Sequence, residues 1–517
     1  MANSIDRRLF LKGIAGGAAA MGLAACGAPA LIVPEHAARG DAVAGATMRI
    51  ARPAASAAET LDPASSLSAY EYLGALYNRV VRLDRNGETV PDLATEWSAN
   101  SDATVWTFKL RPEVRFHDGQ PLTSRDVRYS YGHILDPDTG SPQAGPLSLI
   151  DSIDATDETT VRFNLSTPNA EFPSLLTAYQ CYIIPEDSAE QIGRTGIGTG
   201  PFKLESFESA AAGKVVANED YFDGRPQLDA IEFYSIQDSS ARVNALLAGQ
   251  VHLLAQTNLD NPTARVIEGS PGTTIARVEN AQWYTIPMLY TSEEFADSRV
   301  REAMRLAYDP AAVLDTALQG TGAPGWDNPV PPQLAAFLEY EREYDPDKAR
   351  ALLKDAGVEG FRTKLYTSAY DPNFTPIATA YAHQAAEAGI TLDITNTSAD
   401  SYYTQIWMQV PLMMGYWATG RPIDQLLNQI FRSGSSYNES AWSNEQFDDL
   451  LDSARADTND ESRLAKYQDA QRLIIDDGAC LTPVFGDRLV GLSSDVVNYD
   501  EFGFEFDYLN IGLREEQ

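Results

Sequence analysis

Cysteine is nearly missing from this chain: 517 residues hold three, Cys26, Cys181 and Cys480. That is too few for a disulfide scaffold, and without a CxxC spacing they suggest no zinc site. Histidine is almost as scarce, with five isolated residues. Neither HExxH nor GxSxG occurs, so the common metalloprotease and serine-hydrolase signatures are absent. Positive charge is in deficit as well: 39 Lys and Arg face 73 Asp and Glu, a formal charge of −34. Such a surface repels nucleic acid and anionic headgroups and favours cationic or neutral ligands. No metal and no cofactor is expected. One catalytic class stays open, glycoside hydrolysis, because its two carboxylates, about 5–10 Å apart, meet only in three dimensions.

What the chain does have starts with its length, which implies two or three lobes, and an apolar share of 44% against 22% charged residues, a globular balance. Residues 1–25 read as a targeting segment. Asp6-Arg7-Arg8-Leu9-Phe10-Leu11-Lys12 resembles the twin-arginine export motif, departing from it at Asp6. The apolar run Gly13 to Ala25 is shorter than the roughly 20 residues that span a bilayer. It ends at Leu23-Ala24-Ala25-Cys26, which resembles a lipoprotein box and makes Cys26 the expected lipidation site. Residues 26–47, rich in Ala, Gly and Pro, read as a flexible tether. Cys181 and Cys480 sit in apolar surroundings and are expected as buried thiols; sequence alone leaves their pairing open.

The most patterned stretch runs from Leu93 to Pro137. Val105 to Leu110 alternates, with Trp106, Phe108 and Leu110 on one face, and predicts a half-buried strand. Asp118-Gly119 is a turn signal, and Thr123 or Ser124 offers a helix N-cap before Val127, Tyr129 and Ile134. Ala94-x-Glu96-Trp97, Trp106-Thr107-Phe108-x-Leu110-Arg111, Phe116-His117-Asp118-Gly119, Pro121-Leu122-Thr123 and Asp126-Val127 together resemble the signature of the extracytoplasmic solute-binding proteins of family 5. Gly198-Thr199-Gly200-Pro201 and the helix pattern from Ala241 to Val251 fit the same family.

The resemblance implies an α/β, two-lobed fold of the periplasmic-binding-protein kind, with a small extra lobe inserted in the first large one. The expected division is lobe I from 48–92, 197–275 and 486–517, the inserted lobe from 93–196 and lobe II from 276–485. Helices are predicted after Asp297, after Asp345-Pro346 with Gly357 closing it, from Ser443, and from about Glu461 to Asp477. Pro483-Val484-Phe485 and the segment from Val490 read as strands.

The family's function would be capture of peptides or peptide-like solutes in the cleft between the lobes, without catalysis, for an ABC permease and its ATPase. The protein would act as a monomer outside the cytoplasm, lipid-anchored to the cell membrane. Oligosaccharide or another solute is the alternative ligand. Cleft residues must come from both lobes. Ser68, Tyr70 and Glu71 are expected from the first. Trp283, Tyr284, Trp417, Arg421 and Asp424 are expected from the second. Dipeptide binders of the family carry an Asp near the position of Arg421 for the ligand's amino terminus, and an Arg in the region matching Tyr370 to Pro376. Here the first is reversed in charge and the second segment, YDPNFTP, has no arginine. Arg421 suits bidentate capture of a carboxylate, and Trp417 suits stacking on a sugar, a ring or a peptide side chain.

Overall fold

The alternation seen at Val105–Leu110 builds a four-stranded antiparallel sheet in the order Ala94–Ala99, Val105–Leu110, Thr160–Leu165, Ile150–Asp157. Trp106, Phe108 and Leu110 are buried together with Phe163, Phe172 and Cys181. Thr123 caps the helix Ser124–Leu135, and Asp126 returns the bond to the Thr123 N–H, a capping box that fixes where the helix starts. The computed structural model describes residues 40, 42–43, 45–53, 59–84, 87–478, 480–502 and 505–514. The export signal, Cys26 and most of the tether lie outside them.

The second sheet has ten strands. Its main path runs Gly415–Ala418, Thr273–Pro287, Val484–Ser493, Leu253–Leu254, Thr47–Arg52, Ala230–Ser235, Ala212–Ala217, Phe202–Phe207. Thr47–Arg52 is parallel to both its neighbours, and the other pairs are antiparallel. Two strands are long, Thr273–Pro287 and Val484–Ser493, and they run side by side through the whole fold. The two predicted segments are thus one continuous strand, Val484–Ser493, which starts just after Pro483 and is buried along its whole length. The expected boundaries at 275/276 and 485/486 fall inside these two strands.

The register between them shifts from Val278 to Gln282. Such a bulge bends a strand. Asp487 pins it, accepting from the Asn280 N–H at 2.8 Å and pairing with Arg277. On one side of the bulge, Ala276, Val490 and Leu492 pack into a core with Met48, Ile50, Tyr72 and Phe233. On the other side the sheet divides two cores. Tyr284, Ile286 and Val484 face the helices Ser298–Leu306, Pro310–Leu318 and Phe374–Ala385. Trp283, Trp417 and Phe485 face the helices Ile423–Ile430, Glu445–Arg455 and Asp460–Asp477. Asp297 and Asp345 cap their helices as predicted, while Asn444 and not Ser443 caps Glu445–Arg455. Cys181 and Cys480 are free, buried and in different cores.

Gly198-Thr199-Gly200 threads against the end of the helix Tyr70–Leu76, and His117 holds it. The Gly198 N–H donates to His117 Nδ1 (3.2 Å), so Nε2 carries the proton that reaches Gly200 O (3.1 Å). Only a neutral imidazole makes both bonds, and burial pushes its pKa down to about 4. A folded value below the usual 6.5 means stability present above pH 6.5 and lost as pH falls towards 4. Unfolding by urea at pH 7 and 4.5 should show His117→Gln losing about 2 kcal/mol less on acidification than the parent. Equal losses would place the proton uptake elsewhere.

Candidate functional site

Antiparallel pairing of Gly415–Ala418 with Thr273–Pro287 sets Trp417 opposite Trp283 and Tyr416 opposite Tyr284. Alternation then sends the tryptophans to one face and the tyrosines to the other. The indoles stack at 6.4 Å with 23° between planes. Beyond Ala418 the strand breaks, Thr419 N bonds Ala281 O, and the chain turns into the helix Ile423–Ile430. In that turn the Arg421 side chain folds back. Its Nη1 donates to Ala418 O at 2.6 Å, and Cζ lies 5.5 Å from the Trp417 ring centre, within cation–π range.

Rings surround this guanidinium. Tyr437 meets Trp417 edge-on at 5.9 Å, and contacts run on from Tyr437 to Trp407 (6.2 Å), Tyr403 (5.5 Å), Tyr370 (4.8 Å) and Tyr416 (6.4 Å). These five contacts link six aromatic side chains in an open series whose two ends, Trp417 and Tyr416, lie on opposite faces of one strand. From the opposite side come Tyr70 and Tyr179, edge-to-face at 4.8 Å. Tyr70, Tyr179, Tyr416 and Tyr437 are close enough to act on the charge of Arg421. Tyr370, Tyr403 and Tyr437 stay 47, 38 and 41% exposed. Large aromatics left uncovered in one patch mark a contact surface more than a core.

Among the described residues no carboxylate pairs with Arg421. Burial pulls its pKa down, with the tyrosine hydroxyls the main opposing influence. Burial likewise holds the Tyr70, Tyr179 and Tyr416 hydroxyls above their usual value, so they stay neutral donors and acceptors. The site can thus offer a desolvated positive charge, phenolic hydroxyls and flat apolar walls.

The expected residues divide. Tyr70, Trp417 and Arg421 come together, with Ser68 two residues from Tyr70, half-buried and binding Arg52 through its carbonyl. Glu71, Trp283, Tyr284 and Asp424 are buried, and the polar groups of Glu71, Tyr284 and Asp424 are engaged internally. Glu71 accepts from Gln256 (2.6 Å) and Arg52 (3.4 Å). Trp283 lies under Trp417. The Tyr284 hydroxyl binds Asp371 (3.2 Å) and accepts from Asn373 (2.7 Å). Asp424 turns away to Arg455, with both oxygens bound at 2.9–3.0 Å, and also accepts from Tyr467 (3.1 Å). Trp417 itself has one face on Trp283 and Arg421 against it, which makes Tyr370, Tyr403 and Tyr437 the freer platforms.

Elsewhere, a cavity of about 320 Å³ lies between Trp106 and Arg463, but Arg463 is already paired with Glu171 and Asp460. Among the described residues no cluster of His, Cys, Asp or Glu could hold a metal, and no helix is long and apolar enough to cross a membrane.

Residues 88–438, more than half of the chain, match the family described as bacterial extracellular solute-binding proteins, family 5. The chain belongs to that family. This family 5 protein is 28% identical over 460 residues to di/tripeptide-binding protein 2 of Pseudomonas aeruginosa, covering 81% of this chain and 86% of the relative. It shares its fold with the periplasmic binding protein DppA of Helicobacter pylori, solved with the peptide STSA (TM-score 0.76, 24% identity, 92% of this chain and 99% of that one). It also shares it with the substrate-binding protein CtaP of Listeria monocytogenes (TM-score 0.81, 22% identity, 91% and 100%). The fold is thus the two-lobed one, and the protein is a solute-binding protein.

Sequence reasoning took in Tyr416 only as part of the segment Gly415 to Asp424, and missed Tyr179, Tyr370, Tyr403, Trp407 and Tyr437. Tyr370 opens the very segment searched for an arginine, so attention to charge passed over the ring beside it. A usable signal was Tyr402-Tyr403 with Trp407 four residues on from Tyr403, aromatic spacing with no apolar stripe around it.

Proposed function

We propose that this protein is the solute-binding subunit of an ABC importer for peptides or peptide-like solutes, which it holds between its lobes at Arg421 and delivers to a membrane permease. The observation that carries the reading is Arg421, a charged side chain with no ion pair among the described residues, half-buried beside tyrosines from distant segments of the chain. The peptide-binding relative and the peptide-bound neighbour support it. Ser68, Tyr70 and Trp417 line the site with Arg421, Trp283 backs Trp417, and Glu71, Tyr284 and Asp424 are engaged with buried partners of their own. The lobes divide near the shared bulge at 278–282. Closure over the ligand would be read by the permease, and no catalysis is involved.

Titration calorimetry with di- to tetrapeptides, and with oligosaccharides of equal size, tests this. Peptides should bind, and Arg421→Ala should weaken them about tenfold or more at an unchanged melting temperature. Binding of oligosaccharides alone would end the peptide reading. We further propose export by the twin-arginine route and lipid on Cys26, with the monomer tethered outside the membrane. Cys26→Ser should move the protein from the membrane fraction to the soluble one; retention on the membrane would refute the anchor.

A further inference from the structure

We propose that the cleft selects solutes with an acidic end and no free ammonium, such as amine-blocked peptides or acyl-amino acids, over zwitterionic peptides. This rests on the peptide-like reading above and deepens it. Polarity is the reason. Three acids act on tyrosines of the site: Glu71 on Tyr70 and Asp371 on Tyr416, both tyrosines near Arg421, and Glu439 on Tyr403 of the aromatic series. All three are buried, and their oxygens are occupied by the protein's own donors. Glu71 is held by Arg52 and Gln256. Asp371 accepts from Asn258 Nδ2 (2.8 Å), Tyr284 and the Asn373 N–H (2.8 Å). Glu439 accepts from Trp407 Nε1 (2.6 Å) and Thr285 Oγ1 (2.9 Å). The one acid on the Arg421 turn, Asp424, is locked onto Arg455.

A ligand ammonium entering this box would meet a guanidinium of like charge and no unengaged carboxylate among those acids. Trp417, the strongest cation–π partner here, already carries Arg421, which leaves an ammonium only the weaker tyrosine faces. A carboxylate, in contrast, would find Arg421 with only Nη1 engaged, and phenolic hydroxyls beside it. The exposed rings of Tyr370, Tyr403 and Tyr437 would cover the blocked, uncharged end, where burying an acyl group is favourable and burying an ammonium is not.

The test is calorimetric titration of the purified full chain with four forms of one dipeptide, Ala-Phe: free, N-acetylated, C-amidated, and both blocked. The expected result is that the N-acetyl form binds about tenfold or more tightly than the free form and the two amides bind more weakly still. Arg421→Gln, checked for an unchanged melting temperature, should reduce the penalty for amidation to within about twofold. Free Ala-Phe binding as tightly as its N-acetyl form would overturn this inference while leaving the peptide reading intact. Binding of none of the four would remove both.

Discussion

Gly198→Ala is expected to cost about 3 kcal/mol of stability or more, and to leave little soluble protein. A Cβ there would collide with the Leu76 carbonyl and the Tyr77 ring, and at Gly200 it would meet Leu76 C, Ala75 O and Tyr77 N at 2.5–2.7 Å. These obstacles are mainly backbone, at the end of the helix Tyr70–Leu76, and no rotamer change moves them. Gly200 N also bonds Leu76 O at 2.9 Å, so opening the approach would break what joins the two segments. Gly132→Ala is the control, a helix-interior glycine with nothing within 4 Å of the added methyl. It should be neutral or stabilising by up to about 1 kcal/mol. Melting temperatures of the two variants decide the matter, and a Gly198→Ala protein as stable as Gly132→Ala would sink the close-approach account.

The second large effect belongs to Asp424. Asp424→Ala should destabilise by about 3 kcal/mol, because it strands Arg455 and Tyr467 next to a fully buried gap. Arg455 keeps 28% of its side chain in solvent, which holds the cost to the lower end of the range for broken buried pairs. Affinity measured well below the melting temperature should stay within about twofold of the parent. Arg421→Ala, three residues earlier, should do the opposite and spare stability while weakening the ligand. A tenfold affinity loss in Asp424→Ala would show that its carboxylate faces the ligand after all.

That contrast marks how far the chain could be read directly. Periodicity placed the strand Val105–Leu110 and the capped helices, because alternation and capping are local and each residue's partner lies within a few positions. The bulge at 278–282 was not legible, since it exists only in the register with a strand some 200 positions away.

The sequence by itself determined the family, because a long local signature carries it, and the α/β two-lobed class followed from that resemblance. Only the tertiary structure decided which of the candidate side chains are exposed and which are buried on partners. It turned Asp424 into the helices behind and buried Glu71 on Arg52. It also assembled Tyr70, Tyr179, Tyr370, Tyr403, Trp407, Tyr416 and Tyr437 from segments more than 300 residues apart. The physical reason is that a carboxylate or a ring has the same local signature whether it meets solvent or a partner. Its exposure is set by what packs against it, and that packing comes from elsewhere in the chain.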